Sequence, residues 1–431
     1  MRTFARRFGD YLNAITAPLA AFACGVAAAT GFQPLMLWPI ALVGLALLMA
    51  MLRRADGWRR VALLGWLFGV GHFWFGNNWI ATAFTYQAEM PAWLGWIAVF
   101  LIALYLAIYP MLAALAAWFI VRSGPKWAFV LAFGGAWIVT EWMRSWVFSG
   151  FAWNPLGAIA LGPFGRPGLA LALPWLGTYA LSGLVVLLAG AWLCAVAAWR
   201  ERGSRWWAAL AAILPVVLML APFPSPGRGE GTLPYRLVQP DVRQEVLDDP
   251  RYYETNFIKT AALSGKAAPS GDDTLYLWPE SGVPDYLRPG YPYRYYLATT
   301  YAADPDKARK RIGEVIGPGG LLLTGAVDLV IDADRQKAVG ARNVVTAIGP
   351  GGKIVGGYAK AHLVPFGEYL PLRSLLEPIG LSRFVAGTLD FESSLDERIG
   401  GHEWLKAKAA LAVIAFAGRY ADGSDQFNEA I

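Results

Sequence analysis

Two cysteines, three histidines and 16% charged side chains in 431 residues are what this chain has little of. Two Cys cannot build a disulfide scaffold, and three His with no Cys/His clustering argue against a metal site. The low charge, set against 56% hydrophobic residues, excludes a disordered or collagen-like chain. It also lies outside soluble-domain composition, in which roughly a quarter of residues are charged. Lys and Arg still outnumber Asp and Glu, 37 to 31, a net +6 that would suit a nucleic-acid partner if it were clustered.

The charge is divided by position. Residues 1–222 hold fourteen Lys/Arg against five Asp/Glu, and residues 223–431 hold twenty-three against twenty-six. Eighteen of the 20 Trp fall in the first part, leaving Trp278 and Trp404. The first part therefore reads as lipid-solvated and the second as water-solvated. The Pro/Gly-rich stretch from Pro222 to Gly231 marks a linker, taken as 223–234, ahead of a second domain over 235–431.

Seven apolar stretches in the first part approach the roughly 20 residues needed to cross a bilayer, near 12–30, 34–52, 61–81, 91–121, 127–147, 168–199 and 206–222. The first two, joined by a Gly31–Pro34 turn, form a hairpin that barely spans. The fourth and sixth are long enough to predict tilt or kinks at Pro110 and Pro174. Gly65 and Gly69 predict a close helix approach. Arg2, Arg6 and Arg7, then Arg53, Arg54, Arg59 and Arg60, then Arg122 and Lys126, then Arg200, Arg202 and Arg205 flank alternate ends of these stretches. By the positive-inside rule the N-terminus is cytoplasmic, and an odd number of spans delivers the second domain to the far side of the membrane. The basic excess is thus a topology signal, and nucleic acid drops out as a partner. A secretory signal over residues 1–30 is the competing reading. The spans that follow at once, with Arg53–Arg60, favour an uncleaved hairpin.

In the second domain Tyr235–Asp241, Thr274–Trp278, Leu321–Val330, Val344–Ile348, Lys353–Tyr358 and Ala409–Phe416 read as strands, and Arg251–Leu263 reads as a helix. Gly349-Pro350-Gly351-Gly352 is a hairpin turn, and Gly317–Gly320 is also a turn, since neither carries the Lys-Ser/Thr of a phosphate loop. The mixture predicts layered α/β architecture.

Two segments carry candidate chemistry. Leu277-Trp278-Pro279-Glu280-Ser281 ends a strand with a carboxylate, and burial beside Trp278 would raise its pKa toward the range of a general base. The segment from Tyr358 to Pro371, YAKAHLVPFGEYLP, gathers Lys360, His362 and Glu368. A lysine fixed near a developing oxyanion stabilises it, and a second carboxylate holds that lysine charged. Taken singly, each of these residues reads as an ordinary solvated side chain.

Together the strand-end Trp-Pro-Glu and the later K-x-H-L-V-P-F-G-E-Y resemble apolipoprotein N-acyltransferases, the membrane-integrated branch of the nitrilase (carbon–nitrogen hydrolase) superfamily. Gly65-Trp66-Leu67-Phe68-Gly69 with Asn78-Trp79-Ile80 agrees, as do Leu104 to Pro110, Glu141 to Trp146 and Gly150 to Trp153. The resemblance covers roughly residues 15–392. It implies a multi-span α-helical membrane bundle carrying a periplasmic α/β nitrilase-like αββα sandwich, here incomplete at its C-terminal end. It implies ping-pong transfer of a phospholipid acyl chain, through a Cys thioester, to the N-terminal α-amino group of diacylglyceryl-modified apolipoproteins, with no cofactor. In that scheme Glu280 is the general base, Lys360 the oxyanion-stabilising residue and Glu368 its acidic support.

The sequence departs from the family at the nucleophile. The resemblance places a Cys roughly fifty residues after the motif lysine, where this chain reads Ala409 to Arg419 with no Cys, and there is none after Cys194. Cys24 and Cys194 lie in apolar stretches and read as packing. From about Ser393 the family pattern is lost. The expectation is a truncated or frame-shifted copy that forms no thioester, or a non-catalytic lipid- or lipoprotein-binding relative. A multi-span transporter is a weaker alternative, because no paired inverted halves stand out.

Three features lie outside that scheme. Glu141 and Arg144, three apart, read either as a functional intramembrane pair or as an ion pair anchoring a helix end. His72 reads as a hydrogen-bonded core residue rather than a proton relay, and the aromatic run Tyr291–Tyr296 as a plain loop rather than a lipid-facing surface.

Overall fold

The computed structural model describes residues 2–86, 91–121, 123–148, 150–162, 167–200, 205–221, 231–265, 273–334, 336–361, 363, 364, 368, 369, 374 and 391. The chain divides between residues 227 and 228 into two compact units.

The first unit is helical: α1 (Arg2–Ala29), α2 (Trp38–Arg54), α3 (Trp58–Gly76), the short α4 (Ile80–Ala83), α5 (Trp93–Leu106), α6 (Ile108–Ile120), α7 (Lys126–Arg144), α8 (Leu173–Arg200) and α9 (Arg205–Leu220). Each of the seven apolar stretches is therefore helical. Two segments, Trp93–Ile120 and Gly168–Arg200, are long and apolar enough to cross a membrane, while Thr16–Ala29 and Arg205–Leu220 are shorter apolar helices.

The two long segments break as their length requires, at different residues. The first is interrupted only at Ala107, three residues before Pro110, whose ring excludes the carbonyl one turn back. The second breaks at Gly177, with φ 69° and ψ 173°, and not at Pro174. Pro174 lies at the second position of α8, where its missing N–H costs nothing, whereas glycine alone adopts this backbone readily.

Small residues set the helix spacing. A methyl group placed on Gly69 would lie 2.6 Å from the Ala107 Cα, and one on Gly65 would lie 2.9 Å from the Ala114 Cβ, so this face of α3 packs directly on α5–α6. Leu42, Leu45, Phe68, Phe133 and Val185 fill the core between α2, α3, α7 and α8. His72 is buried among Phe32, Phe68 and Phe73, with ring centroids 5.0 to 5.9 Å away. Among the described residues its Nδ1 has no hydrogen-bond partner, so the expected core hydrogen bonding is incomplete there.

Glu141 and Arg144 form the ion pair, 3.8 Å apart and almost wholly buried. Both side chains are tied further into the backbone and to neighbouring side chains. Arg144 donates to the carbonyls of Phe151 and Trp153, both at 2.7 Å. Glu141 accepts from the Leu156 N–H at 2.8 Å, the Trp137 indole at 3.2 Å and the Ser182 hydroxyl. The pair staples the irregular chain after α7 back onto the helix, so it is an anchor. Arg144→Met strands the Glu141 charge and releases that segment, and should destabilise the helical unit by about 3–5 kcal/mol. Glu141→Gln combined with Arg144→Met should lose less, as read by thermal unfolding in detergent.

The second unit holds one five-stranded sheet in the order β1 (Tyr235–Leu237), β2 (Thr274–Leu277), β3 (Gly320–Asp332), β4 (Lys337–Ile348) and β5 (Ile354–Ala359). The first three strands run parallel and the last three form an antiparallel meander. One sheet lies among the described residues, where the αββα resemblance implies two. The helices α10 (Gln244–Leu247), α11 (Tyr253–Leu263), α12 (Tyr293–Thr299) and α13 (Pro305–Ile316) complete the unit. Ala409–Phe416 lies outside the described residues.

The sequence expectations for β2, β3, β5 and α11 agree within two residues, while β1 is shorter and β4 begins seven residues earlier. The Gly349–Gly352 turn joins β4 to β5 with Gly351 and Gly352 at φ 69° and 82°. The run Tyr291–Tyr296 is not a plain loop. It enters α12, with Tyr296 buried and the Tyr291 hydroxyl accepting the Leu329 N–H at 3.0 Å. Burial and the nearby Asp328 push the Tyr291 phenol up to about 12, which keeps it neutral. The tyrosines therefore cover the far end of the β3–β4 hairpin.

Candidate active site

The sheet brings together residues that are far apart in sequence. Chain leaving β2 turns at Pro279-Glu280-Ser281, with Ser281 at φ 56°, a region that a residue with a Cβ seldom occupies. Trp278 is fully buried, and its indole donates to the Ser264 hydroxyl at 2.9 Å. Glu280 itself is exposed, which corrects the expectation of burial. β2 ends at Leu277, so strand alternation no longer governs Glu280, and the turn carries its carboxylate out to the surface while Trp278 stays in the core.

The turn lies against β3. A methyl group on Gly325 would come within 2.7 Å of the Glu280 Cα and 2.8 Å of the Ser281 nitrogen. The Gly325 N–H donates to the Pro279 carbonyl at 3.3 Å. Glycine is needed there because two backbones meet without room for a side chain.

On the next strands, Asn343 of β4 faces the residue that follows β5: the Lys360 N–H donates to the Asn343 carbonyl at 2.8 Å. The Asn343 side chain is the hub. Its Nδ2 donates to Glu280 Oε1 at 2.7 Å and to Glu368 Oε1 at 2.8 Å. Both partners are carboxylates, which as anions can accept but not donate, so the amide nitrogen rather than its oxygen must face them. Lys360 Nζ donates to the same Glu368 Oε1 at 2.9 Å, and Glu368 Oε2 accepts the Val364 N–H at 2.7 Å. Glu368 is largely buried and Lys360 partly so, with side chains 11% and 27% exposed.

Glu280, Lys360 and Glu368, each singled out by the sequence, are thus joined in one network. His362 lies outside the described residues. Asn343 was missed, although a polar amide heading the apolar run Val344–Ile348 was the available signal.

Glu280 also lines a cavity of about 590 Å³ with Tyr253, Asn256, Phe257, Asp241 and Val283. The cavity opens beyond the carboxyl ends of the parallel strands β1 and β2, where open α/β sheets generally bind ligands. One wall is braced by Asp285, which accepts the Tyr301 N–H at 2.7 Å and pairs with Arg311 at 3.1 Å. Burial pushes the Asp285 carboxyl above the usual range, against the pull of Arg311. Arg311 is itself sandwiched between the rings of Phe257 and Tyr301, 3.7 and 4.1 Å from their centroids.

Chemically, the cluster offers one exposed carboxylate able to take a proton and one ammonium held by a second carboxylate. No group of three or more His, Cys, Asp or Glu among the described residues is arranged to hold a metal. Both cysteines, Cys24 and Cys194, belong to the helical unit, where Cys24 is buried and Cys194 partly so. Replacing the hub tests the network. Asn343→Leu leaves two carboxylates short of a donor and should cost about 1.5–3 kcal/mol. Asn343→Asp sets a third carboxylate between them. Like charges raise its folded-state pKa, so the loss should be largest at neutral pH and relieved as pH falls into the carboxylate range. Thermal unfolding as a function of pH measures both.

Residues 24–191 match the family model described as the apolipoprotein N-acyltransferase N-terminal domain. Among curated proteins, an apolipoprotein N-acyltransferase of Ralstonia nicotianae is 33% identical over 371 residues, covering 82% of this chain and 62% of the relative. One from Brucella suis is 32% identical, covering 75% of this chain and 58% of the relative. One from Caulobacter vibrioides is 31% identical, covering 84% and 66%. The chain thus spans between 58% and 66% of the length of these relatives.

Proposed function

Because the chain belongs to the apolipoprotein N-acyltransferase family, we propose that it serves lipoprotein N-acylation, the last step of lipoprotein maturation, at a bacterial cytoplasmic membrane. The observation that carries this reading is the Glu280–Asn343–Glu368–Lys360 network beside the cavity. The substrates are a phospholipid acyl donor and a diacylglyceryl-modified apolipoprotein.

In this reading residues 1–222 form a multi-pass bundle, 223–234 a linker, and 235–431 part of a periplasmic nitrilase-like αββα domain. The helical character of all seven apolar stretches supports the bundle, and the arginines at alternate helix ends support a cytoplasmic N-terminus.

The chemistry divides into two transfers. A thiolate attacks the ester carbonyl of the phospholipid, the C–O bond breaks, and the lysophospholipid oxygen leaves with a proton. The lipoprotein α-amine then attacks the thioester carbonyl, the C–S bond breaks, and the thiol is regenerated. Toward such a thiol Glu280 would take the thiol proton and return it to the leaving oxygen, then take one from the attacking amine and return it to sulfur. Lys360, paired with Glu368, would stabilise the oxyanion of each tetrahedral intermediate.

Neither Cys24 nor Cys194 serves as that nucleophile, since both belong to the apolar helical unit and not to the unit holding Glu280. We therefore read this polypeptide as holding the base and the cation without a sulfur of its own. A binding relative that keeps the lipid and lipoprotein sites is the second reading, favoured by the absence of Cys from residues 195–431.

The test is incubation of the full chain, in proteoliposomes, with acyl-labelled phosphatidylethanolamine and a diacylglyceryl peptide. The expected outcome is no hydroxylamine-labile label on the protein, together with retention of the peptide. A covalent acyl label on this chain sinks the reading that it lacks a nucleophile. Failure to retain the peptide sinks the assignment to lipoprotein substrates.

A further inference from the structure

The helical unit has two chemically unlike ends. Residues rise along α7 as their partners fall along α8: Gly134 lies against Gly183 and Leu187, and Val130 lies against Gly190. These helices are therefore antiparallel, and the end of α8 lies beside the start of α7. The Trp192 indole donates to the Ala212 carbonyl at 3.0 Å, which folds α9 back along α8 and brings its start to the same end. The end of α2 is tied there too, because Arg53 donates to the Gly124 carbonyl at 3.0 Å just ahead of α7.

One end thus collects Arg53, Arg54, Arg59, Arg60, Lys126, Arg200 and Arg205. Between them stand Trp58, Trp127, Trp199, Trp206 and Trp207, exposed by 52 to 66%. The Arg59 guanidinium lies over the Trp58 ring, 5.4 Å from its centroid, and Trp206 stacks on Trp207 at 3.9 Å. The acidic side chain described among them is Asp56, which already faces Arg60 at 4.0 Å. Arg54, Arg59, Arg200 and Arg205 are exposed and form no ion pair among the described residues. The opposite end has exposed Trp93, Trp146 and Trp175, yet its one described basic residue is the buried Arg144.

We propose that the basic end is a binding surface for the headgroups of anionic phospholipids. The inference rests on the reading that the helical unit lies in a bilayer. Amphipathic indoles locate a protein at the headgroup level, where a cation meets a lipid phosphate across a low-dielectric boundary. Arg is suited to this, since its planar fork binds two phosphate oxygens while its stem lies on an aromatic face. The chemistry differs from the acyl donor's role: the lipid held here is not consumed, and it fixes the depth and tilt of the bundle.

The experiment uses the full chain in detergent, with dioleoyl phosphatidylglycerol or dioleoyl phosphatidylcholine added and retained lipid counted by native mass spectrometry. The glycerol lipid should be retained in preference to the choline lipid. Each of Arg54→Gln, Arg59→Gln and Arg205→Gln should lower that retention about fivefold. The triple Gln variant should lose the preference, while the corresponding triple Lys variant, which keeps the charge, should retain most of it. Equal retention of the two lipids, or an undiminished preference in a folded triple Gln variant, overturns the proposal. So does displacement of the glycerol lipid by inorganic phosphate at the same concentration, which would assign the arginines to a free anion. Recovery of the chain in the soluble fraction without detergent would instead sink the bilayer reading beneath it.

Discussion

A single side-chain amide holds the candidate site in register. Glu280 and Glu368 are like charges on segments that share no strand, and without a donor between them they would repel. Asn343 supplies both N–H groups of its amide, one to each carboxylate. Lys360 then balances Glu368 from the other side, so three ionised groups carry a net charge of one unit. The rest follows from that need. β4 must place Asn343 opposite the residue after β5, and β3 must carry a glycine where the Glu280 turn lies against it.

This division of labour explains what the sequence could and could not disclose. Glu280 stood out because it ends an apolar strand after Trp-Pro, and Lys360 and Glu368 because they share a short segment dense in turn-forming residues. Their meeting was not legible, since it depends on a register between β4 and β5 that local pattern does not specify. Asn343 shows only as a polar amide heading the apolar run Val344–Ile348, and its role depends on the same register across the sheet. The tyrosine run 291–296 misled in another way. It reads as a plain loop because local pattern shows no partner for its hydroxyls, whereas those of Tyr291 and Tyr295 accept backbone N–H groups from the β3–β4 hairpin.

In the helical unit the pattern was more open to reading. Long apolar stretches, small residues at Gly65 and Gly69, and arginines at alternate ends each have a structural counterpart. Glu141 and Arg144 kept two meanings until the loop after α7 was seen. A pair so deeply buried is costly unless it is also hydrogen-bonded, and here backbone groups of residues 151–156 and the side chains of Trp137 and Ser182 bond to it. The ions stabilise an irregular segment that has few regular hydrogen bonds of its own.

The left-handed break at Gly177 has a bearing on membrane thickness. The apolar segment Gly168–Arg200 runs 33 residues, which as one straight helix would reach about 50 Å, well beyond the roughly 30 Å of a hydrocarbon core. Interrupted at Gly177, the regular portion to Arg200 shortens to about 34 Å, close to a match with modest tilt. Trp175, 77% exposed, stands just outside that length. With the helical unit placed in a bilayer, as proposed above, one glycine trims an overlong helix to its solvent and leaves an indole at the boundary, relieving a mismatch that tilt alone would otherwise have to absorb.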